Sequence, residues 1–160
     1  MKRGLIFSKY GTLAASTRQR FVQAIPYLEQ SGITVDIAPL LGNDYLAGLF
    51  GDGSRNRVAV VKSYLRRLAD LLKARHYDFI WVHCELFPYL PLEWLVGIAG
   101  KPIIFDYDDA IFHQYDQHKN PLVRALLGNK LRPLLKRTDM AFCGNAYLQA
   151  YAAQYTAPTE

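Results

Sequence analysis

The stretch KPIIFDYDDAIFHQYD, residues 101–116, contains both halves of the pattern that decides this chain's architecture. Its first half, Pro102 to Asp106, is an apolar run without alternation, which reads as a strand buried on both faces of a sheet. The residues that follow crowd charge together. Asp106, Asp108, Asp109, His113, Asp116 and His118 bring four carboxylates and two imidazoles into thirteen residues. An apolar strand that runs abruptly into polar side chains marks the carboxyl edge of a parallel sheet, where open α/β folds place their ligands.

The same signal recurs in both directions along the chain. Gly4 to Ser8, Ile33 to Ala38, Asp78 to His83 and Met140 to Cys143 read as four further strands, separated by longer stretches of helical periodicity. That alternation predicts a single α/β domain over residues 1–160, with a Rossmann-like parallel sheet and helices on both faces. The first helix is expected to start at Ser16 or Thr17, either of which can cap it, to kink at Pro26 and to end at Gly32. Val58, Val61, Leu65, Leu68 and Leu72 recur at helical spacing and predict the buried stripe of a second helix, with Lys62, Arg66 and Lys73 outward. Asn120 followed by Pro121 starts a further helix, expected to carry Leu122, Leu126, Leu131 and Leu135 inward and Arg124, Lys130, Arg132, Lys136 and Arg137 outward. The stretch LLGNDYLAGLFGDGSRN, residues 40–56, reads as a glycine-rich loop with one helical turn around Tyr45 to Phe50.

Composition narrows the function classes. At 160 residues and 51% hydrophobic, the chain supports one substantial core. No apolar run reaches the roughly 18 residues of a membrane span, and the opening MKRGLIFSKYG lacks the apolar stretch of an export signal. Cys84 and Cys143 each end an apolar run, as buried reduced thiols do, so a cytoplasmic location is expected. The net charge of +5 points to an anionic partner: phosphate, an acidic membrane surface or nucleic acid. Most aromatic residues fall within strand and helix patterns, where they serve the core, so no nucleic-acid partner is expected.

The acidic cluster admits several chemistries. Asp116 and His118 fit a solvated turn. Asp106 and Asp108 could hold a divalent metal through carboxylate oxygens. FDYDDAIF also resembles the first motif of haloacid-dehalogenase-type phosphotransferases, except that the glycine usual after the second aspartate is Asp109 here. A third resemblance covers nearly the whole chain. STRQR after the first strand, AIPYLEQSGITV into the second, HCELFPYLPLEWL after the third, KPIIFDYDDAIFHQYD, and DMAFCGNAYLQAYA after a basic amphipathic helix together look like the N-terminal domain of family-4 glycosyltransferases of the GT-B class.

That resemblance implies the acceptor-side half of a retaining, two-domain hexosyltransferase. Its partners would be a nucleotide-sugar donor, held mainly by a second domain absent from these residues, and a glycan or lipid-linked acceptor such as a cell-envelope polysaccharide precursor. The chain stops at TAPTE soon after the fifth strand, which fits a fragment of such an enzyme. The runner-up is a non-catalytic, basic phosphate- or nucleic-acid-binding module. No cofactor and no resident metal are assigned.

Among individual residues, Asp108 is expected to position the transferred sugar and offset positive charge on an oxocarbenium-like ring, with Asp109 and His113 beside it. Asp106 and Glu85 follow strand ends and are assigned to substrate binding. Ser16, Arg18 and Arg20 lie where the first helix N-terminus favours an anion, and the resemblance assigns Gly11, the one glycine in the loop after the first strand, to substrate binding. Two residues apart, Arg18 and Arg20 do not share a helix face, and Arg18 is the preferred phosphate contact. Glu93 is read with Glu85 as part of a packed, proline-broken connection. The basic helices are expected to attach the domain peripherally to anionic membrane by electrostatics alone, with their leucine and valine stripes turned into the core.

Overall fold

A computed structural model describes residues 1–43, 45 and 57–156. Five strands, β1 (Lys2–Tyr10), β2 (Ile33–Leu41), β3 (Phe79–His83), β4 (Ile103–Tyr107) and β5 (Met140–Cys143), form one sheet in the order β2-β1-β3-β4-β5. Every pairing is parallel. The domain is therefore a Rossmann-like α/β fold, and each expected strand is present, β1 and β2 running longer than expected. The order reverses between β1 and β3, which sets the topological switch point at the carboxyl ends of β1 and β3, one strand from β4.

Strand alternation divides the core into two faces. On one, Leu5, Phe7, Ile80, Val82 and Phe105 pack against Leu71, Ala74, Val96, Leu131, Leu134, Leu135 and Leu148. Burying each large apolar side chain contributes about 1.5–3 kcal/mol, so this face carries most of the stability. On the other, the segment after β1 lies over the sheet, with the Phe21 ring edge-on to Trp81 and His83, both at 5.3 Å. Trp81 also meets Phe142, but Phe142 and Met140 of β5 remain substantially exposed. Among the described residues, this face is thus covered over β3 and open at the β5 edge.

The helices differ from expectation in instructive ways. The first is split into α1 (Ala15–Thr17), a π-helical stretch (Arg18–Val22) and α2 (Ile25–Gln30). Its N-cap is Ala14, without a side-chain cap; Thr17 instead donates its hydroxyl to the Tyr10 carbonyl, so neither Ser16 nor Thr17 caps it. Pro26 sits in the first turn of α2, where its missing N–H costs nothing, and so begins a helix instead of kinking one. Gly32 closes the turn into β2 with φ of 76°, a conformation glycine adopts without penalty.

In α3 (Arg57–Lys73) the expected stripe is turned outward: Val58, Val61, Leu65 and Leu72 are exposed. Leu71 and Arg67 face the core instead, with Tyr64 and Leu68 packed beside them. Arg67 takes an apolar position because its stem packs inward, its guanidinium lies over the Phe7 ring and it donates to the Ser8 carbonyl. Burial pulls its pKa down to about 9.

The Asn120 cap holds, its side chain accepting from the Leu122 amide to start α5 (Pro121–Leu127). The helix breaks after Leu127, and α6 (Arg132–Leu135) follows. That break rotates the two halves apart: Leu131 and Leu135 are buried, while Leu122 and Leu126 are exposed. Lys130, expected outward, is buried. Apart from Asn43 and Tyr45, the expected helical turn and glycine-rich loop after Gly42 lie outside the described residues. No described helix is long and apolar enough to cross a membrane.

Candidate functional site

The carboxyl ends of β3 and β4 are neighbours, His83 pairing with Asp106 across the ladder. Parallel pairing brings both strand exits to one rim, so residues more than twenty apart in sequence meet there. Arg20 reaches this rim from the π-helical stretch and forms an ion pair with Asp106. The Asp106 side chain is almost fully buried, while Arg20 keeps 28% of its surface in solvent. Burial raises the Asp106 pKa, opposed by the Arg20 hydrogen bond and charge. Arg18, the preferred cation from sequence, instead turns back to donate to the Leu13 carbonyl. The π-helical turn changes which side chain faces the sheet, and it selects Arg20.

Asp108 stands at the mouth of the rim with 44% of its side chain exposed, its Oδ1 3.9 Å from His83 Nε2. Asp109 is also exposed. The backbone of Asp108 abuts the start of the loop after β5: a Cβ on Gly144 would sit 3.0 Å from the Asp108 Cα. Gly144 thus permits the close approach that fixes Asp108, and its amide donates to the Tyr107 carbonyl. Beyond it, Asn145 caps α7 (Ala146–Ala152) by accepting from the Leu148 amide.

His83 and Cys84 belong to this rim, although local sequence marks them only as the end of an apolar strand and a buried thiol. The signal was their position at the carboxyl end of the strand adjoining the switch point. Burial lowers the His83 pKa against the opposing pull of Asp106 and Asp108, which favours a neutral ring. Burial, reinforced by Asp108 and Asp106, pushes the Cys84 thiol up to about 12.

The remaining candidates are placed differently. His113, in α4 (His113–Asp116), is held from both sides: Nδ1 lies 2.9 Å from Asp116 Oδ1, and Nε2 lies 2.6 Å from the Tyr147 hydroxyl. It therefore forms a polar cluster with α7. Gly11 donates its amide to the Leu41 carbonyl and lies against Asn43, where a Cβ would come within 2.2 Å of Oδ1. Ser16 lies in α1, half-buried at the opening of the helical segment.

Glu85 faces the interior, away from the rim. Its carboxylate accepts from Lys130 Nζ at 2.6 Å and from the Tyr115 hydroxyl at 2.6 Å. Lys130 also reaches Glu93 at 3.1 Å and the Phe87 carbonyl at 2.7 Å, while Glu93 accepts from the amides of Leu86 and Phe87. These bonds staple the HCELFPYLPLEWL connection, which is packed as its prolines and apolar residues suggested. The rim proper is therefore Arg20, His83, Cys84, Asp106, Asp108 and Asp109. It offers one partly exposed cation for an anion, exposed carboxylates for hydroxyl groups, and a histidine favouring the neutral form. No protein-family model matches the chain, and a search of curated proteins finds no significant match.

Proposed function

We propose that this domain is the acceptor-side half of a retaining GT-B glycosyltransferase, and that the β3–β4 rim is its contribution to the catalytic cleft. One observation carries the reading: an exposed carboxylate, Asp108, stands at the carboxyl rim of a Rossmann-like sheet, one strand from the switch point, beside a partly buried ion pair that neutralises its neighbour Asp106. The resemblance of the ordered segments to family-4 enzymes adds to it.

In this reading the bond between the anomeric carbon and the diphosphate breaks, and a bond to an acceptor hydroxyl oxygen forms. The electron pair of the broken bond leaves with the nucleoside diphosphate, whose phosphate oxygen takes up the acceptor proton, and positive charge develops on the sugar ring. Asp108 accepts hydrogen bonds from sugar hydroxyls and lies where it offsets that charge, which is worth most in a water-poor cleft. Arg20 presents its free N–H groups to a phosphate oxygen of the donor or acceptor. Asp109 lies beside this site, whereas His113, held by Asp116 and Tyr147, belongs to a separate polar cluster. The exposed Leu122 and Leu126, next to Arg124, suit contact with an anionic membrane bearing a lipid-linked acceptor, with apolar side chains joining the electrostatic attraction.

The test is a donor screen on the full-length protein with lipid-linked and soluble glycan acceptors, read as nucleoside diphosphate release and as the anomeric configuration of the product. Release with retention, lost on Asp108→Ala, is the expected result. Absence of release with every donor, or inversion, would overturn the reading.

A further inference from the structure

We propose that His83, Cys84 and Asp108 form a binding site for a divalent transition-metal ion of zinc type. Their ligand atoms all lie within 4.8 Å of one another. A tetrahedral zinc ion bound at about 2.0–2.3 Å to nitrogen, oxygen and sulfur spaces its donors roughly 3.3–3.6 Å apart. His83 Nε2 and Cys84 Sγ already stand at 3.5 Å. The third donor, Asp108 Oδ1, is 3.9 Å from His83 Nε2, and it sits on a partly exposed side chain that can close this gap by rotation.

Neighbouring residues of a strand point to opposite faces, so His83 and Cys84 would ordinarily diverge. Cys84 has φ of 63°, which ends the alternation and brings its sulfur beside the His83 ring. The donor set of one sulfur, one nitrogen and one carboxylate oxygen suits zinc or cobalt and is a poor match for magnesium or calcium. Three protein ligands leave a fourth position for water or a substrate oxygen.

Charge around the site favours a cation. Asp106, Asp108 and Asp109 all act electrostatically on His83 and Cys84, and Arg20 is paired with Asp106 alone. Burial, reinforced by Asp108 and Asp106, favours the protonated thiol in the free protein, and the excess of negative charge would be offset by a divalent ion. Binding therefore displaces one proton from Cys84 to solvent, the thiolate becoming a ligand, so apparent affinity rises with pH.

The inference does not rest on sugar transfer. A protein that binds zinc but transfers no sugar would leave this site standing and overturn the function proposed above; sugar transfer without zinc binding would do the reverse.

The experiment titrates the full-length protein with zinc by calorimetry and with cobalt by absorption spectroscopy. The expected result is one ion per chain and a thiolate-to-cobalt charge-transfer band. Cys84→Ser should abolish the band, and Cys84→Ser, His83→Gln and Asp108→Asn should each weaken zinc binding at least tenfold. Cys143→Ser should match wild type. A second measurement needs no variant: zinc should raise the unfolding temperature of wild type, the rise growing with zinc concentration, and magnesium should not. No cobalt–thiolate band in wild type, a band that survives Cys84→Ser, or no stabilisation by zinc would overturn the proposal.

Discussion

Two groups of charge lie within a few residues of each other in sequence and have opposite characters. The Lys130 group is sealed: Lys130 and Glu93 are almost wholly buried, Glu85 nearly so, and each finds partners in the others, in Tyr115 and in the backbone at Leu86 and Phe87. The rim group is open. Asp106 is satisfied by Arg20, but Arg20 and Asp108 retain surface in solvent and unfilled hydrogen-bonding capacity. A closed network spends its polar groups on holding the chain together, whereas an open one keeps some for a ligand. Mutations should therefore affect stability at the first and ligand chemistry at the second.

The largest effect is expected from Lys130→Met. It removes the cation and leaves two buried carboxylates facing one another, a loss of about 3–5 kcal/mol. Urea unfolding followed by circular dichroism should show the midpoint fall or the native baseline vanish; an unchanged midpoint would mean the network is not closed.

Asp108→Ala should do the reverse. Under the proposed function, turnover of the full-length enzyme drops by roughly a hundredfold, while stability stays within about 0.5 kcal/mol because the side chain is half-exposed. Wild-type turnover with a lowered melting temperature would move Asp108 from the open group to the structural one.

Arg20→Met sits between the two. It strips the partner from buried Asp106 and should cost about 1–3 kcal/mol near neutral pH. The pH dependence fixes the cause. A carboxyl whose folded pKa is raised binds its proton more tightly folded than unfolded, so its ionisation opposes folding, and the penalty grows as pH rises through that pKa. Without Arg20 the pKa rises further. The difference between variant and wild type should be full at neutral pH and shrink in acid, where both hold Asp106 neutral. A difference independent of pH would assign the loss to packing.

The smallest effect concerns His83. Its folded pKa lies below the ordinary 6.5, so the unfolded chain takes up the proton first. Its contribution is fully present above pH 6.5 and is lost as pH falls from there toward the lowered folded value. Thermal unfolding of wild type should therefore weaken over that window, and His83→Gln should flatten the slope. Equal slopes would show that His83 titrates as freely folded as unfolded.

The five strands, their parallel pairing by way of helical crossovers, the Asn120 cap and the emergence of the acidic residues at the end of β4 were legible in the sequence. These follow from local chemistry: unbroken apolar runs must be buried on both sides, and polar residues that end them must emerge at the carboxyl rim. Tertiary structure alone decided which of two helical stripes in α3 faces inward. Both have the right period, and the true one contains Arg67, whose charge hides it from any hydrophobicity count. Only the fold could show that Lys130 is interior, that the π-helical turn aims Arg20 instead of Arg18 at Asp106, and that Glu85 faces inward while His83 and Cys84 join Asp108. Each of these depends on a rotation of about one residue's angle around a helix or strand. Periodicity fixes that a face exists, and the packing of distant elements fixes which face it is.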